Sequence, residues 1–421
     1  MLYLYPTISI AYLVLPPVVL IWAGVVAWRR QKYHALQVLA RAAIVGAVAG
    51  GLVASMYRWV GGAQPPFSEL LVACYLGWSV LCVVYGVNWV LFRGVGRLFR
   101  LDRSPGSTRG GAVAQVIAGV FQACLLLALT LPYLGSLLVV YRPKSPGAGN
   151  PQTLVQAGFE TVELSASDGI RLQAWWIPPC RNRHTDGRGS VQWGKDTVLL
   201  CHGFGADKAS DLFLARDLVA NGYNILALDL RAHGQSGGNF TGFGGIEGRD
   251  VLGAVRWVRR NHPDESHRIL GLGEGLGAVA LIEAAADPGP DGQAISAIAA
   301  YNPYDNLGAV IHQVARQHAV KLGQWAFSEA VIPMASVQLG SDLNRVSPAR
   351  ALRALWPRPI LILGDPTSRD PVYGRSFDLY EDAYQPKYGY WRDDLDPNAL
   401  LHDKQAALTV RIFFDGEQSI I

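Results

Sequence analysis

The hydrophobic pattern divides the chain into two parts. In the first third, apolar residues run in four long stretches, near Ile8–Trp28, Leu39–Val60, Leu70–Phe92 and Ala112–Val140. Each reaches the roughly 20 residues that a helix needs to cross a bilayer. From about Phe159 the apolar runs shorten and alternate with polar turns and amphipathic segments. Phe159–Ser165 and Leu172–Trp176 flank Asp168-Gly169, which predicts a hairpin. Thr197–Cys201 and Ile225–Leu228 are continuous apolar runs, the signature of strands buried on both faces of a parallel sheet. Ile269–Leu272, Ile295–Ala300, Pro359–Leu363 and Leu408–Phe414 predict further strands, and Asp211–Asn221, Ile246–Arg260 and Leu276–Ala286 predict helices. The fold class is therefore α/β with a mostly parallel sheet, preceded by an all-α transmembrane domain of four helices. The expected boundaries are residues 1–141 for the membrane domain, 142–157 for a Pro- and Gly-rich linker and 158–421 for the α/β domain. A helical cap is expected around 306–345, with Trp325, Phe327 and Met334 in its core.

Charge sharpens this division. Residues 1–145 hold 12 basic and 2 acidic side chains, and the whole chain has 37 and 33, which leaves 25 basic against 31 acidic residues in the remainder. The net charge of +4 thus combines a basic first part with a mildly acidic second part. An acidic α/β domain argues against nucleic-acid binding, which wants a basic face. The basic residues of the first part cluster between spans one and two (Arg29, Arg30, Lys32, Arg41) and between spans three and four (Arg93, Arg97, Arg100, Arg103, Arg109). Basic loops stay in the cytoplasm, so the C-terminal domain is expected on the extracytoplasmic side of a plasma (inner) membrane, although Arg142 and Lys144 after span four pull the other way. Ile8–Trp28 lacks the basic start of a signal peptide and carries Pro16-Pro17, so it reads as a span. In span two, Ala42, Gly46, Gly50 and Ala54 form a small-residue face for helix packing.

The candidate chemistry centres on Gly275. Arg268–Leu281 has an apolar strand, a glycine-rich turn and an alanine-rich helix, the layout of the Gly-x-Ser-x-Gly nucleophile elbow. The turn reads Gly273-Glu274-Gly275-Leu276-Gly277, with both flanking glycines present and glycine in the serine's place. A glycine cannot attack a carbonyl. Five cysteines show no metal-ligand spacing, and a Cys180–Cys201 bond is left open. No cofactor is expected.

Several further pieces follow in order. His202-Gly203-Phe204-Gly205 ends a predicted strand, Asp229–Gly237 forms a His- and Gly-bearing turn, and Asn302-Pro303-Tyr304 follows a later strand. With the elbow, these make the segment from about 158 onward resemble the α/β-hydrolases, in particular the serine esterases and peptidase-like hydrolases. The resemblance implies a serine, acid, histidine triad in that order, and an oxyanion loop at His202-Gly203-Phe204. The serine position is Gly275. The acid falls near Thr367 or Ser368, with Asp365 and Asp370 displaced. The histidine should follow the last strand, Leu408–Phe414, so its position is Gln418, and His402 precedes that strand at the wrong end of the sheet. The degenerate triad is thus Gly275, Asp370 and Gln418. What the resemblance leaves is a set of N–H donors at Phe204, Leu276 and Gly277 for a carboxylate or carbonyl oxygen. The expectation is a membrane-anchored, non-hydrolytic binding or scaffold subunit, with the bilayer and a protein partner or an apolar or carboxylate ligand as its associates. An active esterase, peptidase or lipase with a non-standard constellation is the alternative.

Overall fold

The computed structural model describes residues 149–179, 196–305, 346–366, 376–393 and 397–416, with isolated positions at 136, 140 and 147 and between 307 and 343. These belong almost entirely to the compact unit Val139–Ile421. Among the described residues no helix is long and apolar enough to cross a membrane. The four predicted spans lie outside the described residues except for single positions at 136 and 140.

The domain is built on one sheet of eight strands: β1 Glu160–Ser165, β2 Arg171–Ile177, β3 Asp196–Cys201, β4 Asn224–Leu228, β5 Arg268–Glu274, β6 Ile295–Tyr301, β7 Ile360–Gly364 and β8 Lys387–Trp391. Their spatial order is β1-β2-β4-β3-β5-β6-β7-β8. The β1–β2 hairpin is antiparallel and β2 joins β4 antiparallel, while every pairing from β4 to β8 is parallel. β3, β4 and β7 are buried along nearly their whole length because helices cover both faces of the sheet.

Two apolar layers result. On one face, α2 Gly248–Asn261, α3 Leu276–Ala285, α4 Pro348–Ala354 and α5 Ser376–Asp382 pack on Leu199, Cys201, Leu226 and Leu228. On the other, a 3₁₀ turn Leu212–Ala215 running into α1 Arg216–Ala220, together with α6 Pro397–Leu401 and α7 Lys404–Asp415, covers Val198, Leu200, Leu270 and Leu363. The predicted helix over Asp211–Asn221 is thus half 3₁₀ turn and half α-helix. Cys201 is a free, buried thiol, so the bond to Cys180 is not formed.

One predicted element is of the wrong type. Leu408–Phe414 lies inside α7 and is not a strand. Its Thr, Val, Ile and Phe residues favour strands, but the buried positions Ala406, Val410, Phe413 and Phe414 fall on one helical stripe. Burial of that stripe overrides the local preference. The last strand is Lys387–Trp391, which the hydrophobic pattern did not mark. It is a half-buried edge strand of five residues with a glycine at its centre, and it lacks the continuous apolar run of the inner strands. Gly389 is needed there, because a Cβ would lie 2.4 Å from the Trp391 indole nitrogen.

A buried ion cluster fixes the turn after β4. Arg231 donates to Asp250 Oδ1 at 2.6 and 2.9 Å and to both oxygens of Asp168 at 2.8 and 2.9 Å. It joins the β1–β2 turn to α2. Removing Asp250 would leave Arg231 paired with Asp168 alone and its backbone N–H without that acceptor, and losing hydrogen bonds to a charged group costs about 1.5–3 kcal/mol. Asp250→Ala is therefore expected to destabilise the domain by about that amount. The check is denaturant unfolding followed by tryptophan fluorescence; an unchanged midpoint would contradict the assignment.

Candidate functional site

The expected strand–turn–helix forms at Gly275. β5 ends at Glu274, α3 begins at Leu276, and Gly275 alone makes the turn with φ 47° and ψ −105°. Its N–H donates to the Tyr301 carbonyl at 2.9 Å, and its carbonyl accepts from Val279 N at 3.1 Å. The flanking glycines are close-approach positions. A Cβ on Gly273 would lie 2.7 Å from Ala278 N, and one on Gly277 would lie 2.1 Å from the Cys201 carbonyl oxygen. Helix α3 therefore presses directly on the ends of β3 and β5. Leu276 and Gly277 begin that helix, where the first N–H groups have no partner within the helix and the dipole is positive.

The oxyanion loop follows β3. His202 is buried, with Nδ1 2.8 Å from the Gly203 carbonyl oxygen and Nε2 3.1 Å from Leu230 N. Leu230 N donates, so Nε2 accepts and Nδ1 carries the proton. Burial, with His233 alongside, pushes its pKa down to about 3 and keeps the ring neutral. His233 is also buried, with Nδ1 2.8 Å from the Arg231 carbonyl oxygen. Both histidines are therefore bound to backbone. Phe204 stacks on Phe243 with ring centroids 5.1 Å apart. Above the elbow an apolar cluster gathers Phe243, Val279, Tyr304, Leu307, Val331 and Val140, with Phe204 packed against it. Of the described positions of the expected cap, Leu307, Val310, Val331, Ala335 and Leu343 belong to this cluster, while Trp325, Phe327 and Met334 lie outside the described residues.

The Asp229–Gly237 turn is held by a second buried pair. Lys208 Nζ donates to Asp229 Oδ2 at 2.5 Å, and Lys208 N and Gln235 N donate to the same carboxylate at 2.8 and 2.9 Å. Asp229 is fully committed to structure.

Sequence reasoning missed a pair of acids. Gly203 N donates to Asp211 Oδ2 at 3.3 Å, and the Glu274 carboxylate lies so close to the same residue that a Cβ on Gly203 would be 1.7 Å from Oε2. Burial, then the charge of Glu274, pushes Asp211 up to about 8; burial also lifts Glu274 to about 6. The pattern marked Asp211 only as a helix start and Glu274 as part of the elbow turn, and gave no sign that the two meet.

The other triad positions change with the strand assignment. Gln418 and Asp370 lie outside the described residues, as do Thr367 and Ser368, whereas Asp365 directly follows β7. Because Leu408–Phe414 is a helix, Gln418 does not directly follow the last strand; α6 and α7 come between them. The loop that does is Arg392-Asp393-Asp394-Leu395-Asp396, without a histidine. Arg392 there donates from its backbone to Gly364 O at 3.1 Å and from Nη1 to Asp403 Oδ2 at 3.2 Å, and Tyr390 shares that carboxylate oxygen at 2.6 Å. His402 follows the last strand and does not precede it. It is exposed and stacked on Phe213 at 4.2 Å, beside the 3₁₀ turn.

Comparison with known proteins adds to this geometry. Residues 194–366 match the family model described as serine aminopeptidase, S33. The uncharacterized protein YfhR of Escherichia coli K12 is 21% identical over 232 residues, 53% of this chain and 78% of that protein. The uncharacterized protein YqkD of Bacillus subtilis is 35% identical over 89 residues, 21% and 28% of the two chains. The structure of the Pyrococcus furiosus esterase Pf2001 superposes with a TM-score of 0.51 at 22% identity, covering 66% of this chain and 97% of that one. The domain has the α/β-hydrolase fold. Its sheet is mostly parallel in the order β1-β2-β4-β3-β5-β6-β7-β8, and Gly275 makes the turn from β5 into α3.

The packing of α3 against β3 yields a direct test. Gly277→Ala puts a methyl group into the Cys201 and His202 carbonyls, with backbone on both sides. Overpacking of this kind costs about 1–3 kcal/mol or more. A clear drop in the unfolding temperature is expected, and a melting curve that superposes on the parent protein's would refute the close approach.

Proposed function

We propose that this chain is a membrane-anchored α/β-hydrolase-fold protein whose domain binds or scaffolds and does not hydrolyse. The observation that carries the reading is Gly275, which holds the elbow's turn with φ 47° and supplies no side chain there. The rest of the site supports it. His202 and His233 are bound to backbone, and the loop after β8 has no histidine to act as a base. Hydrolysis by this fold needs nucleophile, base and acid acting together, and loss of the nucleophile alone removes the acyl intermediate. What remains is an apolar cluster beside helix-start N–H groups at Leu276 and Gly277, suited to an apolar ligand with a carboxylate or carbonyl end. The four apolar stretches support the anchor, and their basic loops support an extracytoplasmic domain.

Two measurements test this. A serine-reactive phosphonate should leave the purified protein unlabelled, and Gly275→Ser should hydrolyse no short-chain ester. The variant should also lose about 1–2 kcal/mol of stability, since serine must adopt a left-handed turn that glycine takes freely. Labelling of the parent protein, or turnover by the single variant, would instead establish an active hydrolase with a base elsewhere. For topology, a reporter active only in the cytoplasm, fused after Ile421, should stay silent. A working reporter would place the domain on the cytoplasmic side.

A further inference from the structure

The Gly203 N–H lies between two carboxyl groups that come from different elements. Asp211, buried at the head of the 3₁₀ turn, accepts from it at 3.3 Å. Glu274, the last residue of β5, draws on the same N–H and packs against the Gly203 Cα, with Oε2 1.7 Å and Oε1 3.0 Å from where a Cβ would stand. One donor cannot satisfy two carboxylates held this close, and two negative charges in a buried site cannot both persist without a counter-charge. Among the described residues the surrounding groups offer none. From β3 come Cys201, a buried thiol that stays protonated, and His202, which is neutral. From the same loop come Asp207, a further carboxylate, and Lys208, which is bound to Asp229. From β6, paired with Glu274, comes Tyr301, whose buried hydroxyl keeps its proton.

We infer that Asp211 and Glu274 share one proton across Gly203, and that loss of this proton in alkaline solution releases the oxyanion loop His202–Gly205. A proton on one carboxyl lets the other carry the charge and keep the peptide N–H. When both ionise, they repel each other across the loop and Gly203 is pushed from between them. The sign follows from the shifts. Both groups hold protons to a higher pH in the folded chain than in the unfolded one, so their contribution is greatest in acid and is lost as the pH rises through about 6 and then about 8. This device acts on the loop that presents Phe204, so it sets a pH range for whatever the site binds. It holds whether or not the domain turns over a substrate.

Pulsed amide hydrogen exchange on the full chain in detergent tests this, read by mass spectrometry on the peptide covering 202–206 and on β4 as an internal reference. After correction for the intrinsic pH dependence of exchange, protection of 202–206 should fall about tenfold or more between pH 6 and pH 9 while β4 stays protected, the signature of local opening. Glu274→Gln keeps an acceptor for the N–H and removes one charge, so its protection should be independent of pH. Asp211→Asn should behave in the same way. Flat protection in the parent protein would overturn the inference without recourse to any variant. An equal alkaline loss in parent and Glu274→Gln would also overturn it, since the titrating group would then lie elsewhere.

Discussion

The contact on which the top of this domain depends is the one between Gly277 and the carbonyls of Cys201 and His202. It lets α3 sit directly on the end of β3, which sets the angle at which β5 turns into the helix. That angle forces Gly275 into its left-handed conformation, and the same turn brings Glu274 against Gly203. The elbow, the oxyanion loop and the acid pair are thus three results of one close approach. None of them requires a nucleophile. The turn at Gly275 is therefore a product of helix–strand packing. The glycines at 273 and 277 are demanded by helix–strand packing, and the fold keeps them for that reason alone.

The inner part of the fold was legible because burial writes itself directly into sequence. Strands β3 to β7 are apolar through most of their length, and the β1–β2 hairpin has its turn at Asp168-Gly169. The outer part was not legible. β8 lies at the sheet edge, where the half-buried Lys387-Tyr-Gly-Tyr-Trp391 shows no continuous aliphatic run, and α7 is built from residues that favour strands. Confusing the two moved the histidine position to Gln418 and placed His402 before the last strand. Local preference misled because the deciding fact, which side chains meet the sheet, is tertiary.

The site was legible in its backbone and illegible in its charges. Gly273, Gly275 and Gly277 announce the turn, and His202-Gly203 announces the loop. The pairing of Asp211 with Glu274 joins residues 63 positions apart through the N–H of a third, and nothing in local pattern marks it. The same holds for Arg392 and Asp403, which occupy the region where a hydrolase of this fold would carry its base.

The last described helix is tied back to the middle of the sheet. Arg268 at the start of β5 donates to the Phe414 carbonyl at 2.9 Å while binding Asp196 at the start of β3, and Tyr223 beside β4 reaches Asp415 at 2.7 Å. These ties join residues 146 and 192 positions apart, and contacts so distant in sequence can close only after the intervening loop entropy has been overcome. One helix from far along the chain thus pins the starts of β3, β4 and β5, so fraying of α7 would free the ends of three neighbouring strands together.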